Sequence, residues 1–160
     1  MEEGQLNRLK QQYSSLQKKY RLPEFSELND DFDVEKLQER ETEHLLKLVR
    51  ITMIEKLANV VRFLELLLNP TEGPTPMFMY ALLKSINSEV RKDIESLYKE
   101  FSKIELASLS LDLYYEEKNE AKFISEAFSL WSKEKARFKR IMNKLGMTWD
   151  KEILERNYLG

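Results

Sequence analysis

The chain has 160 residues, a formal net charge of -2 and no cysteine. This length suits one core, so we predict a single domain over residues 1–160. Without cysteine, disulfides, thiolate zinc sites, iron–sulfur clusters and cysteine nucleophiles are excluded. The near-neutral charge gives no global attraction to nucleic acid, so any such binding requires a local patch.

The composition also bears on the compartment. Apolar residues make up 42% of the chain and charged residues 34%, which is too hydrophobic for a disordered tail and too charged for a membrane protein. The longest apolar stretch, around Phe63 to Leu68, is far shorter than the roughly 20 residues that span a bilayer. The first residues lack the basic start and apolar run of a secretory signal. We therefore expect a cytoplasmic protein with no membrane partner.

The first predicted helix covers residues 2–21, where apolar side chains recur at helical spacing. The helix is expected to end at Leu22-Pro23, because the residue before a proline disfavours helical geometry. An acidic linker at about residues 22–33 follows, with one helical turn at most. The predicted apolar stripe is Leu6, Leu9, Tyr13, Leu16 and Tyr20.

The second predicted helix begins after Asp33, a suitable N-cap, and runs to about Leu68. Its apolar positions widen until nearly every face is apolar, which is typical of a central helix. Residues 69–76 contain Gly73 and three prolines, and we predict a loop there. A short apolar helix over residues 77–83 is expected after the loop.

Two long helices with seven-residue periodicity follow, the first capped by Asn87 or Ser88. A turn near residues 116–119 separates them, and Gly146 is expected to end the second as a left-handed C-cap. A tail helix from Thr148 to about Tyr158 completes the prediction. The predicted seam of the first is Val90, Ile94, Leu97, Phe101, Ile104, Ser108, Leu111 and Tyr115. The predicted seam of the second is Ile124, Phe128, Trp131, Lys135, Phe138, Met142 and Leu145.

These elements predict an all-α fold. Two successive seams joined by a short turn pack most simply as an antiparallel pair, and the first two helices supply the other half. We therefore expect a helical bundle of about four long helices with short loop and tail helices. The sequence has no glycine-rich phosphate loop, no alternating strand pattern of useful length and no internal repeat.

One pair of residues has the spacing of a metal site. Glu41 and His44 are three residues apart, as in the Glu-x-x-His pairs of di-iron carboxylate bundles. Such sites need a second pair, and His44 is the only histidine, so an imidazole satisfied by a neighbouring group is the alternative. The carboxylates Glu105 and Asp112 share a face but are expected to be solvated or ion-paired, so no catalytic residue and no cofactor are predicted.

The segment from Trp131 to Lys144 contains six basic residues and one acid, Glu134. Basic residues beside aromatic rings hold phosphates and stack bases. The aromatic residues fall on the predicted seam, so a solvated basic face is the alternative. The nucleic-acid-binding candidates are Lys133, Arg137, Arg140 and Lys144.

The residues after the predicted loop form the second candidate surface. Apolar side chains of this density must be covered, either by the end of the bundle or by another protein. Methionine suits adaptable contacts because its side chain is flexible. The protein-binding candidates are Met77, Phe78, Met79 and Tyr80.

Two stretches resemble a family of small all-helical archaeal proteins of unassigned activity. They are Leu22-Pro23-Glu24-Phe25 with Leu28, and Glu41-Thr42-Glu43 to Arg50 with Glu55-Lys56. The segment from Phe123 to Trp131 extends the likeness. The resemblance implies a helical fold and an archaeal-type cytoplasmic setting, and it transfers no functional residue.

We predict a protein-interaction or scaffold protein, with a protein partner or self-association as a homodimer. A nucleic-acid-binding accessory protein that uses the basic fourth helix is the alternative function. A metal-binding bundle built on carboxylates and His44 is the third.

Overall fold

The computed structural model describes residues 2–40, 42–70 and 77–158. Every regular element in these residues is helical, four of the helices are long, and no strand occurs among them, so the all-α class is confirmed. None of the helices in these ranges is both long enough and apolar enough to cross a bilayer. The elements are α1 (Glu2–Tyr20), α2 (Phe25–Phe32), a 3-10 helix (Val34–Glu39), α3 (Leu45–Leu68), α4 (Met77–Lys84), α5 (Ser88–Leu111) and α6 (Glu117–Tyr158).

The apolar stripe of α1 is confirmed as an inward face. Leu9 and Tyr13 are buried, and the Tyr13 hydroxyl donates a hydrogen bond to the carbonyl of Pro23 at 2.8 Å. The Tyr13 ring also meets the Phe25 ring edge-on, with 5.5 Å between centroids. Burial, with a smaller effect from the charge of Glu24, raises the pKa of Tyr13, so the phenol stays a neutral donor.

The predicted acidic linker contains α2, and the N-cap prediction at Asp33 is wrong. Asp33 adopts left-handed geometry with φ 55° and ends α2, its backbone N–H donating to the carbonyl of Asn29 at 2.9 Å. Its side chain caps nothing, because a side-chain N-cap requires extended backbone at that position. A 3-10 helix follows instead, and α3 begins at Leu45 after a break.

Helix α3 buries one broad face. It ends at Leu68 as predicted, and its side chains at Leu46, Met53, Leu57 and Leu64 are all but completely buried. Their spacing of seven, four and seven residues places these four on one face of the helix, and Leu66 on the opposite side is 40% exposed. The widening apolar stripe predicted from the sequence therefore does not correspond to burial on every face.

The predicted start and seam of α5 are confirmed. The Asn87 side-chain oxygen accepts the backbone N–H of Val90 at 2.9 Å, which is an N-cap contact. Val90, Ile94, Leu97, Phe101 and Ser108 are buried, and Ile104 and Leu111 are half-buried. Tyr115, the last predicted seam residue, lies beyond the end of the helix and is exposed.

Helix α6 differs from its prediction in two ways. Its seam keeps the seven-residue spacing but buries Ala127, Glu134 and Ile141 where the sequence predicts Phe128, Lys135 and Met142. The helix also does not end at Gly146. It is continuous over 42 residues, so the predicted tail helix is the last part of α6.

The chain divides into two compact units, one formed by Met1–Ala58 with Lys103–Trp131 and the other by Asn59–Ser102 with Ser132–Gly160. We refer to them as unit 1 and unit 2. In unit 1, α1 packs against the 3-10 helix. The prediction of one domain stays a prediction.

Candidate functional site

A buried arginine in unit 1 holds the connection between α5 and α6. Arg50 lies on α3 with 1% of its side chain exposed. Its Nε donates to Oε2 of Glu120 at 2.7 Å, and one Nη2 bond reaches Oδ1 of Asp112 at 2.6 Å. Its Nη1 donates to the hydroxyl of Ser108 at 2.6 Å and to the Ser108 carbonyl at 3.1 Å. One side chain therefore fastens the end of α5 to the start of α6.

The opposite charges in this network offset the free-energy cost of burying Arg50 and Glu120. Desolvation is the largest influence on Arg50 and lowers its pKa, but the bonds to Glu120 and Asp112 outweigh it, so the pKa is raised overall. Glu120 is completely buried, and its Oε1 has no hydrogen-bond partner within the part of the chain that the structure describes. A buried carboxylate of this kind depends on its cation.

Three further contacts hold the same connection. Glu117, the first residue of α6, accepts hydrogen bonds from Lys19 Nζ at 2.8 Å and from the Tyr20 hydroxyl at 2.7 Å. The ring of Tyr115 lies against the ring of His44, with 4.0 Å between centroids. The turn of residues 112–116 is therefore fixed from α1, from α3 and from the segment before α3.

An apolar surface is exposed on this turn and on the helix that leads into it. Leu106, Leu109, Leu113 and Tyr114 are 67%, 61%, 74% and 83% exposed. They present on the order of 500 Å² of mostly apolar area, a size that on monomeric proteins often has a function. We call these four residues the turn surface.

The turn surface follows from the spacing of its leucines. Positions 106, 109 and 113 are three and four residues apart and share one face of a helix. The backbone N–H groups of Asp112 and Leu113 donate to the carbonyls of Leu109 and Ser110, at 3.2 and 3.3 Å, which extends the helical geometry past the end of α5. This face points away from the buried seam.

The predicted protein-binding residues lie on α4, and the structure describes the side chains of two of them. Met79 is buried and Tyr80 is 56% exposed. The side chains of Met77 and Phe78 lie outside the described set. The Met79 side of α4 is therefore covered, and Tyr80 remains accessible.

The predicted nucleic-acid-binding residues lie on α6 in unit 2. Lys133, Arg140 and Lys144 are exposed. Arg137 is half-buried and binds other groups, donating to Glu134 Oε2 at 3.2 Å, to the Asp93 carbonyl at 3.2 Å and to Asp93 Oδ1 at 3.3 Å. Three of the four candidates therefore face solvent.

Of the predicted metal pair, the structure describes only His44. Glu41 lies outside the described residues, and His44 is exposed against Tyr115. Within the described ranges, no group of three or more histidines and carboxylates is placed to hold a metal ion. Of the paired carboxylates, Glu105 is half-buried and Asp112 binds Arg50.

A cavity of about 450 Å³ lies between α1 and the 3-10 helix in unit 1. Its lining contains two arginines and two glutamates, whose formal charges cancel, so it favours neither sign of ligand charge. The lining residues are Gln5, Arg8, Leu9, Gln12, Leu37, Gln38, Glu39, Arg40, Thr42 and Glu43.

Neither the Arg50 network nor the exposed face of Leu106, Leu109 and Leu113 is predicted from the sequence. Arg50 interrupts an apolar run in α3, which is a signal for a buried, paired cation. Glu120 lies in phase with the buried seam of α6, which is a signal for a buried acid. Both signals were present, but neither identifies its partner.

The pH dependence of one anchor is a direct test of this geometry. The hydrogen bond from Lys19, followed by that from Tyr20, lowers the pKa of Glu117. Because the pKa of Glu117 is lower in the folded state, its carboxylate stabilises the fold at pH values above the unfolded-state pKa. This stabilisation is lost as the pH falls through the folded-state pKa. We expect Glu117→Gln to lower the unfolding free energy slightly at pH 7, and the difference from wild type to shrink progressively as the pH is lowered from about 4.3, the ordinary glutamate pKa, to about 2. Denaturant unfolding at these pH values measures it, and a difference that persists in acid would contradict the assignment.

No family model, curated protein or solved structure matches this chain, so the turn surface and the charges that hold it carry the functional argument.

Proposed function

We propose that this chain is a helical interaction protein that docks a protein partner through the turn surface. The observation that supports the proposal most is the combination of exposed and buried groups at one turn. Leu113 and Tyr114 are the most exposed large apolar residues of the described chain. They lie between Asp112 and Glu120, the two carboxylates that Arg50 binds.

A rigid apolar surface is well suited to binding. Burying a charged arginine and a glutamate costs free energy. A surface turn does not need such a network for its own stability. Fixing the turn before association reduces the conformational entropy that the turn itself would otherwise lose on binding. Tyr114 adds an aromatic residue of the type that dominates binding energy at protein interfaces. The network therefore supports a preformed docking surface.

The proposal also covers the partner and the setting. The partner is a protein or a second copy of this chain, and it contributes an apolar surface of its own. The proposed setting is the cytoplasm, of the archaeal type that the resemblance at Leu22-Pro23-Glu24-Phe25 implies. The proposal assigns the chain no catalytic residue and no cofactor.

The test uses the full chain as bait in an extract of its native host, followed by titration of the purified partner. We expect Leu109→Glu with Leu113→Glu to weaken partner affinity by at least about 30-fold, because two central apolar contacts are replaced by charges. Circular dichroism checks that the variant remains folded.

Two matched variants give the test its controls. Leu66→Glu places one such charge on a leucine of α3 that is 40% exposed, and is expected to leave affinity unchanged. Tyr80→Glu tests the α4 surface that the sequence predicts. Loss of binding in Tyr80→Glu, with full binding in the Leu109 and Leu113 variant, would move the docking site to α4 and overturn the proposal for the turn surface.

A further inference from the structure

Four basic residues of α6 form a straight row in unit 2. Lys133, Arg140, Lys144 and Lys151 are spaced by seven, four and seven residues. At 3.6 residues per turn, these steps keep the side chains within about 20° of one line along the helix. At 1.5 Å per residue, the row is about 27 Å long. We call these four residues the cation row.

The cation row faces solvent and lies in a segment with a net positive charge. All four side chains are exposed, and Lys133 makes only a 3.5 Å contact with Glu134. Residues 132–151 contain seven basic residues and two acids, in a chain whose net charge is -2. The remainder of the chain is therefore acidic overall, and a polyanion is attracted more strongly to this segment than to the remainder as a whole.

Arg137 lies near the row but is already bound. Its guanidinium contacts Asp93 and Glu134, and its side chain is 23% exposed. Helix α6 therefore carries the cation row, which a ligand can reach, and also Arg137, which is already ion-paired. This difference provides an internal control that the sequence alone does not offer.

We propose that the cation row binds the phosphates of double-stranded nucleic acid without reading its sequence. The row is about as long as eight base-pair steps of 3.4 Å. Binding to single strands relies on aromatic side chains that stack on bases. In this segment, Phe138 and Trp149 are only half-exposed, and Trp131 beside it is buried, so no stacking surface accompanies the charges among the described side chains.

This inference is independent of the proposed function. It concerns α6 in unit 2, whereas the turn surface belongs to unit 1. Either can fail without affecting the other, because the two tests use different variants and different ligands.

The experiment measures binding of the full chain to a labelled duplex of arbitrary sequence, about 20 base pairs long, by fluorescence anisotropy over a range of salt concentrations. Four phosphate contacts predict that the logarithm of the binding constant falls with the logarithm of salt with a slope of about -3.6. Lys144→Gln is expected to reduce the slope by about one, and Arg140→Gln with Lys144→Gln by about two.

The controls separate this surface from a general charge effect. Lys122→Gln removes an exposed lysine nearer the start of α6 and is expected to leave the slope unchanged. Arg137→Gln is also expected to leave it unchanged, because its guanidinium binds Asp93 and Glu134. Circular dichroism confirms that each variant is folded.

Three results would overturn the proposal. The first is no binding to the duplex at low salt. The second is an equal loss of slope in Lys122→Gln and Lys144→Gln, which would show that net charge alone is responsible. The third is tighter binding of a single strand, or of vesicles containing phosphatidylserine, with the same dependence on Arg140 and Lys144, which would assign the row to another polyanion.

Discussion

Arg50→Leu is expected to lower the free energy of unfolding by about 3–5 kcal/mol, since it removes one partner of a buried ion pair. Glu120 would keep its buried position without the Nε–H that now donates to it at 2.7 Å. Ser108 would lose its bond from Nη1, and Asp112, which is half-exposed, would turn to water. Urea denaturation followed by circular dichroism measures the change.

The double variant Arg50→Leu with Glu120→Leu is the control. Replacing both members of a buried pair by apolar residues is often neutral, so we expect most of the lost stability to return. If the single variant costs less than about 1 kcal/mol, the pair is not buried as the structure places it. A double variant that is stable but binds the partner weakly would assign the network to docking rather than to folding.

The elements that the sequence predicts correctly are those with local causes. The start of α5 depends on Asn87 and on the N–H three residues later, and its seam repeats within the helix. The end of α1 before Pro23 is equally local, because proline restricts the residue that precedes it. Periodicity and capping are sufficient for such elements.

The errors in α6 have a physical reason. The predicted seam follows Phe128 and Met142 because they are apolar, and it accepts Lys135 between them. The structure instead buries Glu134, whose charge is neutralised by Arg137, and Arg137 in turn binds Asp93 on α5. Hydrophobic periodicity does not reveal a buried acid whose positively charged partner also binds a residue of another helix.

The errors at helix ends come from backbone geometry. Asp33 has a good capping side chain, but with its left-handed φ it ends α2, and its side chain does not cap the 3-10 helix that follows. Gly146 is a preferred residue for ending a helix, yet a glycine inside a helix costs only about 1 kcal/mol. Helix α6 accepts that cost and continues to Tyr158.

In the candidate site, too, the feature with a local cause can be predicted from the sequence and the others cannot. The shared face of Leu106, Leu109 and Leu113 can be read from their spacing, because helical geometry fixes it. Their exposure cannot, because it depends on which face of α5 the rest of unit 1 covers. The network is beyond sequence reasoning for the same reason, since Arg50 and Glu120 are 70 residues apart in the chain.

Two leucines of α5 give the sharpest comparison between its faces. Leu97 is completely buried and Leu106 is 67% exposed, and nine residues separate them, so they lie on opposite sides of the helix. Leu97→Ala is expected to lower the unfolding free energy by about 2–5 kcal/mol, because it removes buried methyl groups and leaves a cavity.

The same substitution on the other face is expected to have almost no effect on stability. Leu106→Ala removes a side chain that is mostly in water and places a better helix former in α5, so the change should stay within about 0.5 kcal/mol. Denaturant unfolding of both variants measures the difference. Equal losses at the two positions would show that Leu106 is covered in solution, by unit 1 itself or by a second copy of the chain. A concentration dependence of the midpoint separates these two cases, because only an assembly of copies is stabilised by raising the protein concentration.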